Sequence, residues 1–307
     1  MLAAKCYTER VSHTGAAQMT ALDRPLALTR HALSIDSQRL VYVTAGDPSA
    51  APLMLVHGWT CHKLVWRNVF AALAERFYLI APDLLGHGES DAPPNGDYRI
   101  AAQARRVLKL ADQLGLARFA LMGHSMGGLI SLYIGAVLAP KRLTHLIDVA
   151  GIVSGRAAPR LIWLNGALVL LPLLFPPYLE FQRLSMERYP RLGKFGFRVW
   201  FADMDALPYE AWAEDRHYAT RPDARMARWR AGLATLSTDI SAHLHKISAP
   251  TLILFGARDG AVSVREGALA AARIRQSRFL LFEGCGHFPM LEQPERFIKA
   301  ISDFLCA

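Results

Sequence analysis

Ser125 lies in the part of this chain that most directly suggests chemistry. The pentapeptide Gly123–Gly127, GHSMG, matches the pattern G-x-S-x-G. An apolar run typical of a strand precedes it and a helical pattern follows it, which is the context of a nucleophile elbow. Such a turn would hold the hydroxyl above a sheet edge, where it could attack a carbonyl carbon. The pattern alone is common, so the argument depends on partners elsewhere in the chain.

The first partner required is a base, because a serine hydroxyl is a weak nucleophile. His287 is the candidate, within the segment Gly284–Phe288, GCGHF, just after the last predicted strand. Its flanking glycines predict a loop from which the imidazole can reach over the sheet. The chain order Ser…Asp…His also places the base late in the sequence. The alternative is a histidine with a purely structural role.

The second partner is an acid that holds the tautomer of the base and stabilises the imidazolium. Asp259 follows the predicted strand Thr251 to Phe255, in the segment Gly256–Gly260, GARDG. Its alternative role is that of an ordinary Asp-Gly turn residue. A backup acid is Asp148, although it is predicted to lie inside the strand Leu143 to Val149.

Two backbone N–H groups are predicted to stabilise a tetrahedral oxyanion. One belongs to Met126, directly after the nucleophile. The other is expected from Trp59, in the His57-Gly58-Trp59 loop after a strand ending at Val56. Removing one such donor costs about 3 kcal/mol of transition-state stabilisation.

The elements that must position these residues alternate between short apolar runs and helical patterns. This alternation predicts an α/β fold with a mostly parallel sheet and helices on both faces. Ligands of such sheets bind at the carboxyl ends of the strands, where all four motifs fall. The predicted strands are Leu26 to Ile35, Arg39 to Thr44, Pro52 to Val56, Phe77 to Ala81, Phe119 to Met122, Leu143 to Val149, Thr251 to Phe255 and Phe279 to Phe282, with a Ser37-Gln38 turn after the first. The predicted helices are His62 to Glu75, Arg99 to Leu114, Met126 to Leu138, Val264 to Ile274 and Pro294 to Phe304.

The alternation stops in the middle of the chain, which indicates an insertion. We expect a flexible tail over residues 1–20, a core over 21–150 and 248–307, and a helical cap (lid) over 151–247. Aromatic residues of the cap are expected to pack among themselves (Trp200, Phe201, Trp212, Tyr218 and Trp229). The apolar run Leu161 to Pro177 is interrupted by prolines, so it indicates a lid helix rather than a span, and it leaves open a shallow contact with a lipid surface.

Composition and charge restrict the classes of function that this chain is expected to have. The net charge is +9, yet the sequence contains no nucleic-acid-binding motif, so no nucleic-acid partner is expected. The four cysteines are scattered, and the pair His243 and His245 is too small a ligand set for a metal. We therefore expect no metal, no cofactor and, since no signal peptide is evident, a cytoplasmic location. Oligomeric state is left open.

Taken together, the motifs resemble the α/β-hydrolase superfamily over about Leu26 to Leu305. The core is similar to bacterial aryl esterases and perhydrolases, which share the H-G-W loop and the S-M-G-G elbow. Ring-cleavage C–C hydrolases and monoacylglycerol lipases also use serine, whereas haloalkane dehalogenases and epoxide hydrolases carry aspartate at the elbow. The matching segments are His57–Trp59, Asp83–Ser90, Gly123–Gly128, Gly256–Asp259, Gly286–His287 and Leu291–Pro294.

This resemblance implies the α/β-hydrolase fold, with an eight-stranded sheet and an inserted helical cap, and a serine carboxylesterase or lipase-like activity. The apolar lid favours a small ester with an apolar acyl or aryl group as substrate. C–C bond hydrolysis, perhydrolysis and cofactor-free oxygenation on the same triad are the rival chemistries. A rival of another class is a ligand-binding protein with a vestigial triad.

Overall fold

The computed structural model describes residues 28–155 and 196–306, with five further positions between them. The predicted tail and nearly all of the apolar run 161–177 lie outside the described residues. The strands are β1 (Thr29–Ile35), β2 (Gln38–Ala45), β3 (Ala51–Val56), β4 (Phe77–Pro82), β5 (Phe119–His124), β6 (Leu143–Val149), β7 (Thr251–Gly256) and β8 (Ser277–Phe282). The α-helices are α1 (Arg67–Ala74), α2 (Ile100–Gln113), α3 (Met126–Tyr133), α4 (Tyr209–Thr220), α5 (Arg225–Ser237), α6 (Val264–Arg273), α7 (Pro289–Glu292) and α8 (Pro294–Leu305).

The eight strands form one sheet in the order β1-β2-β4-β3-β5-β6-β7-β8. Strand β2 pairs antiparallel with β1 and β4, and the remaining neighbours pair parallel. The mostly parallel α/β architecture expected from the alternating pattern is confirmed. The register sets Val56 beside Gly123 and Gly123 beside Asp148, so the predicted motifs meet at one edge.

Helices cover both faces of the sheet because each carries an apolar stripe. In α8, Phe297, Ile301 and Phe304 recur at helical spacing and are buried. They join α1 in an apolar cluster on one face, while α2, α3 and α6 form the cluster on the other. Strand β3 is buried on both faces, which explains its continuous apolar run.

Several predicted boundaries differ from the structure. The turn between β1 and β2 is formed by Asp36 and Ser37, both with positive φ, one residue earlier than predicted. Positive φ at two successive residues matches the twist of a tight hairpin. The helix predicted from His62 begins as a 3₁₀ turn at Lys63–Trp66 before α1, and the one predicted to Leu138 widens into a π-helical turn after Tyr133.

The described part of residues 151–247 contains α4, α5 and short 3₁₀ turns, and no strand. Trp212, expected to pack with other aromatic residues of this segment, contacts the ring of Tyr209. Trp212 and Phe201 also belong to the same apolar cluster as Trp66 and Phe70 of the core. No helix in the part of the chain described here has both the length and the apolar character needed to cross a bilayer.

Candidate active site

Ser125 occupies a sharply strained position between β5 and α3. Its backbone has φ 54° and ψ −115°, a combination that a residue with a Cβ rarely adopts. The Ser125 N–H donates to the carbonyl of Val149 at 2.8 Å, and the Ser125 carbonyl accepts from Leu129 at 3.0 Å. The strain is therefore held by β6 on one side and by the first turn of α3 on the other.

The two glycines of the pentapeptide are required by close backbone approach. A Cβ atom at Gly123 would lie 2.1 Å from the carbonyl oxygen of Gly127, and one at Gly127 would lie 2.2 Å from that of Val56. The first oxygen atom could move only with the first turn of α3, and the second only with strand β3. The elbow is thus compressed between its own two ends and strand β3.

The side chains of His287 and Asp259 form a buried pair. The Nδ1–H of His287 donates to Oδ2 of Asp259 at 2.7 Å, and both side chains are almost fully buried. The other carboxylate oxygen accepts from the N–H groups of Ala261 and Val262 at 2.8 and 2.9 Å. With Asp259 held in this way, a proton on Nδ1 leaves Nε2 as an acceptor. Nε2 has no hydrogen-bond partner among the described residues.

Backbone contacts hold His287 in its loop. Its N–H donates to the carbonyl of Trp200 at 2.7 Å, and its carbonyl oxygen lies 2.9 Å from Nε2 of His124. Burial, together with the neighbouring His287, lowers the pKa of His124 well below its ordinary value. His124 is consequently a neutral donor inside the elbow, bonded to the backbone of His287.

The His57-Gly58-Trp59 loop runs directly against the elbow. A Cβ atom at Gly58 would lie 2.8 Å from Nδ1 of His124 and 3.2 Å from Cβ of Ser125. The ring of His57 orients the loop by donating to the Gly58 carbonyl at 2.8 Å and accepting from the Leu84 N–H at 3.0 Å. Burial lowers the pKa of His57 to about 3, so this ring is neutral.

Of the two expected oxyanion donors, one directly follows Ser125 and the other lies in the loop against the elbow. Met126 is the first residue of α3, where N–H groups have no partner within the helix. Trp59 follows Gly58 in the loop that touches the elbow, and its indole ring packs on α5. A Cβ atom at Gly232 would lie 3.0 Å from the Trp59 ring.

Asp148, the backup acid, is not brought to the base. Nδ1 of His287 is occupied by Asp259, while the carboxyl of Asp148 is fully buried beside two glycines. A Cβ atom at Gly128 or Gly151 would lie 2.2 or 2.1 Å from its Oδ1. The backbone of Gly151 favours the ionised form of this carboxyl, but burial outweighs it. Burial raises the pKa of Asp148 to about 8.

Two residues near His287 had no predicted role there. Trp200 was expected among the cap aromatics, yet its carbonyl accepts from His287 and its ring lies 5.3 Å from the imidazole, measured between ring centres. Glu292, known from the sequence only as part of the segment Leu291–Pro294, accepts backbone hydrogen bonds around His287. No spacing signal identifies such contacts.

The environments of Cys285, His243 and His245 show whether these side chains are placed to react or to bind a metal ion. The thiol of Cys285 is buried, and burial raises its pKa, so it is a protonated packing residue. His243 and His245 are both exposed. Over residues 28–155 and 196–306, no group of three or more His, Cys, Asp or Glu side chains is placed to hold a metal ion.

Comparison with known proteins identifies the class. The α/β hydrolase fold family model matches residues 51–294, so the chain belongs to the α/β-hydrolase family. It is similar to an uncharacterized protein of Mycobacterium tuberculosis, with 31% identity over 89% of this chain and 80% of that protein. It is also similar to the pimeloyl-[acyl-carrier protein] methyl ester esterase of Edwardsiella ictaluri, with 32% identity over 82% of this chain and 92% of the esterase.

Among solved structures, the epoxide hydrolase CorEH matches with a TM-score of 0.77 and 25% identity, over 91% of this chain and 99% of that chain. The chain is therefore a hydrolase of the α/β-hydrolase fold. Its relatives act on different bonds, so the reaction has to be argued from the site.

Proposed function

We propose that this protein is a serine carboxylic-ester hydrolase acting on a small ester with an apolar acyl or aryl group. Ser125 is the nucleophile, His287 the general base and Asp259 the residue that holds the base. The observation that carries the proposal is the buried 2.7 Å contact between His287 and Asp259, which leaves Nε2 of the imidazole without a partner in the described structure.

The proposed reaction has two halves. His287 takes the Ser125 proton at Nε2 while the oxygen attacks the ester carbonyl, and the N–H groups of Trp59 and Met126 bind the oxyanion. Collapse expels the alcohol, which receives the proton from His287, and leaves an acyl-enzyme. Water, deprotonated by the same imidazole, then attacks the acyl carbon. The bond to Ser125 breaks, the acid leaves, and the imidazolium returns its proton to the serine oxygen. Asp259 stabilises the imidazolium in both halves.

The ester assignment is supported by the relatives and by the walls of the site. The similar Edwardsiella protein is an esterase by name. Around His287 the described neighbours include the rings of Trp200 and Phe288, and the adjoining loop carries Trp59. Apolar aromatic walls favour an uncharged acyl or aryl group. The rival C–C hydrolysis and perhydrolysis would use the same three residues.

The proposal includes the predicted cap over residues 151–247. It is supported by α4 and α5, which follow the segment bonded to His287, and by the packing of the Trp59 ring on α5. A shallow contact of the cap with a lipid surface and a cytoplasmic location remain predictions.

The decisive experiment labels the nucleophile with a fluorophosphonate probe and identifies the modified peptide by mass spectrometry. Ser125 should be modified, and Ser125→Ala should be neither labelled nor active on nitrophenyl esters. Labelling at another residue, or equal esterase activity in Ser125→Ala, would contradict the proposal.

A matched pair of variants tests the acid. Asp259→Asn and Asp148→Asn make the same chemical change in two buried side chains. Asp148 lies near the end of β6, and Asp259 follows the neighbouring strand β7. Asp259→Asn should lower kcat by about 10³-fold to 10⁴-fold, because the imidazole loses its orienting carboxylate. Asp148→Asn should keep most of the activity. The reverse order would assign the acid role to Asp148.

A further inference from the structure

The carboxylate of Glu292, at the end of α7, accepts hydrogen bonds on both sides of His287. The N–H of Gly286 lies 3.0 Å from Oε1 and 3.1 Å from Oε2, and the N–H of Phe288 lies 3.3 Å from Oε1. The residues directly before and after the proposed base are therefore tied to one side chain.

The same carboxylate reaches a second segment of the chain. Its Oε2 accepts from the N–H of Ala202 at 2.8 Å and from that of Asp203 at 3.1 Å. These residues precede α4 and lie about ninety positions from Glu292 in sequence. Glu292 thus joins the His287 loop to the segment Trp200–Asp203.

This second segment itself contacts the base. The N–H of His287 donates to the carbonyl of Trp200 at 2.7 Å, and the rings of Phe201 and Phe288 stack with centres 4.7 Å apart. As a result, three consecutive N–H groups, at residues 286 to 288, bond either to Glu292 or to the segment it holds.

The packing at this junction leaves no space for a side chain at Gly286. A Cβ atom at Gly286 would lie 2.6 Å from the carbonyl oxygen of Trp200, 2.7 Å from the N atom of Ala202 and 2.9 Å from Oε1 of Glu292. Burial raises the pKa of Glu292, while the four backbone N–H groups act in the opposite direction. Four N–H donors therefore converge on this half-buried carboxyl, and both of its oxygens act as acceptors.

We propose that Glu292 is a positioning residue for His287, holding the imidazole over the site and coupling the base to the segment Trp200–Asp203. The inference rests on the proposed role of His287 as the base. Glu292 acts through the backbone of residues 286–288 and does not touch the substrate. Its carboxylate is needed because an amide would present hydrogen atoms to N–H donors.

The test compares Glu292→Gln with a matched control, Glu266→Gln. Glu266 in α6 is also a buried acceptor: its Oε2 binds the N–H groups of Val153 and Ser154 at 2.9 and 2.8 Å, and its Oε1 binds the Ser154 hydroxyl at 2.7 Å. It makes the same kind of connection between distant segments, without a bond to the His287 loop in the described structure. Both variants are measured for thermal stability, kcat, KM and the pH dependence of kcat/KM.

Glu292→Gln should lower kcat by about tenfold to a hundredfold, with KM changed less, because small misplacement of a catalytic group is costly. The acid limb of its pH profile should move to lower pH, since an imidazolium less well placed against Asp259 is less stable. Glu266→Gln should lower thermal stability and leave the acid limb unchanged. If Glu292→Gln behaves like Glu266→Gln, Glu292 is only a structural connection and the proposal is wrong.

Fluorophosphonate labelling separates this inference from the proposed function. If wild-type Ser125 is not labelled, the function itself fails. If wild-type protein is labelled and folded Glu292→Gln reacts equally fast, only the positioning role fails. Should Glu292→Gln not fold, Glu292→Asp keeps the charge with a shorter reach, and it should show a smaller loss in the same direction. Wild-type kcat and pH profile in Glu292→Asp would overturn the proposal.

Discussion

Asp148 shows how strongly the environment of one residue can change its chemistry. Its carboxyl is fully buried between Gly128 and Gly151, and burial raises its pKa from 3.8 to about 8. At neutral pH the folded protein therefore holds this carboxyl protonated, whereas the unfolded chain releases the proton. A protonated side chain is unsuited to stabilising an imidazolium, which agrees with Asp259 being the partner of His287.

Replacement of Asp148 by Asn should stabilise the protein in a pH-dependent way. Between the unfolded pKa near 3.8 and the folded pKa near 8, the native state binds the additional proton, so this group lowers stability as pH rises. Asn removes the titration at nearly the same shape. The Tm of Asp148→Asn should thus be close to that of wild type at pH 4 and exceed it increasingly toward pH 8.

Thermal melts over this pH range provide the measurement. Asp47→Asn serves as the control, because Asp47 is an exposed turn residue whose pKa is lowered by its hydrogen bonds with Ser49. It should show no gain toward pH 8. A constant Tm difference for Asp148→Asn at every pH would mean that Asp148 is already ionised in the folded state.

Helix α4 is joined to the core by charged groups as well as by apolar packing. Oδ1 of Asp215 lies 2.7 Å from Nε2 of buried His62 and 3.5 Å from Arg67, which also pairs with Glu214 at 3.0 Å. Burial opposes the ionisation of Asp215, but His62 and Arg67 outweigh it and hold its pKa below 3.8. These contacts fix α4 over the residues that follow the His57-Gly58-Trp59 loop.

Asp215→Asn should destabilise the protein by about 2 kcal/mol at neutral pH, the scale of a hydrogen bond to a charged group. Because the folded pKa is depressed, the contribution is present above the unfolded pKa and is lost as pH falls through the folded value. Urea unfolding at pH 7 and at pH 3 measures both effects, and the difference from wild type should shrink at the lower pH.

Asp303→Asn is the control for Asp215→Asn. Asp303 pairs with Lys299 on the exposed side of α8, and both side chains are mostly exposed. Exposed pairs of this type contribute roughly 0.5 kcal/mol. An equal effect of the two substitutions would show that the buried contacts of Asp215 have no special role in holding α4.

At the scale of the whole molecule, the proposed site lies between the carboxyl edge of the sheet and the chain that follows β6. Core residues such as Ser125 and His287 come from the sheet edge, whereas Trp200 and α5 approach from the other side. A substrate would therefore be enclosed by apolar and aromatic groups from both parts. The apolar portion of the substrate would be removed from water on binding.

Lengthening the acyl chain of nitrophenyl esters should raise kcat/KM a few-fold per carbon until the pocket is full, since burial contributes roughly 0.8 kcal/mol per CH₂. Initial rates across esters from acetate to octanoate measure this. Spontaneous hydrolysis of each ester under the same conditions corrects for intrinsic reactivity. A flat profile would rule out an apolar acyl pocket.

Much of the fold was predictable because local patterns reflect burial. Buried strands such as β3 are continuous apolar runs, and α8 carries its stripe at helical spacing, so their positions were predicted to within a few residues. The hairpin turn was misplaced by one residue because the backbone at Asp36 and Ser37 depends on strand register. The extent of the apolar cluster that includes Phe201 was also missed, since it forms between distant segments.

The sequence by itself determined the strained turn at Ser125, since Gly123, Ser125 and Gly127 meet its steric requirements within five residues. It also named His287 and Asp259 as a pair, because parallel strands end at a common edge; their catalytic roles stay predictions. Only the tertiary structure decided which carboxyl faces the imidazole, that burial raises the pKa of Asp148, and that Glu292 bonds the backbone on both sides of His287. The reason is physical: burial and hydrogen bonding are set by groups far apart in the chain.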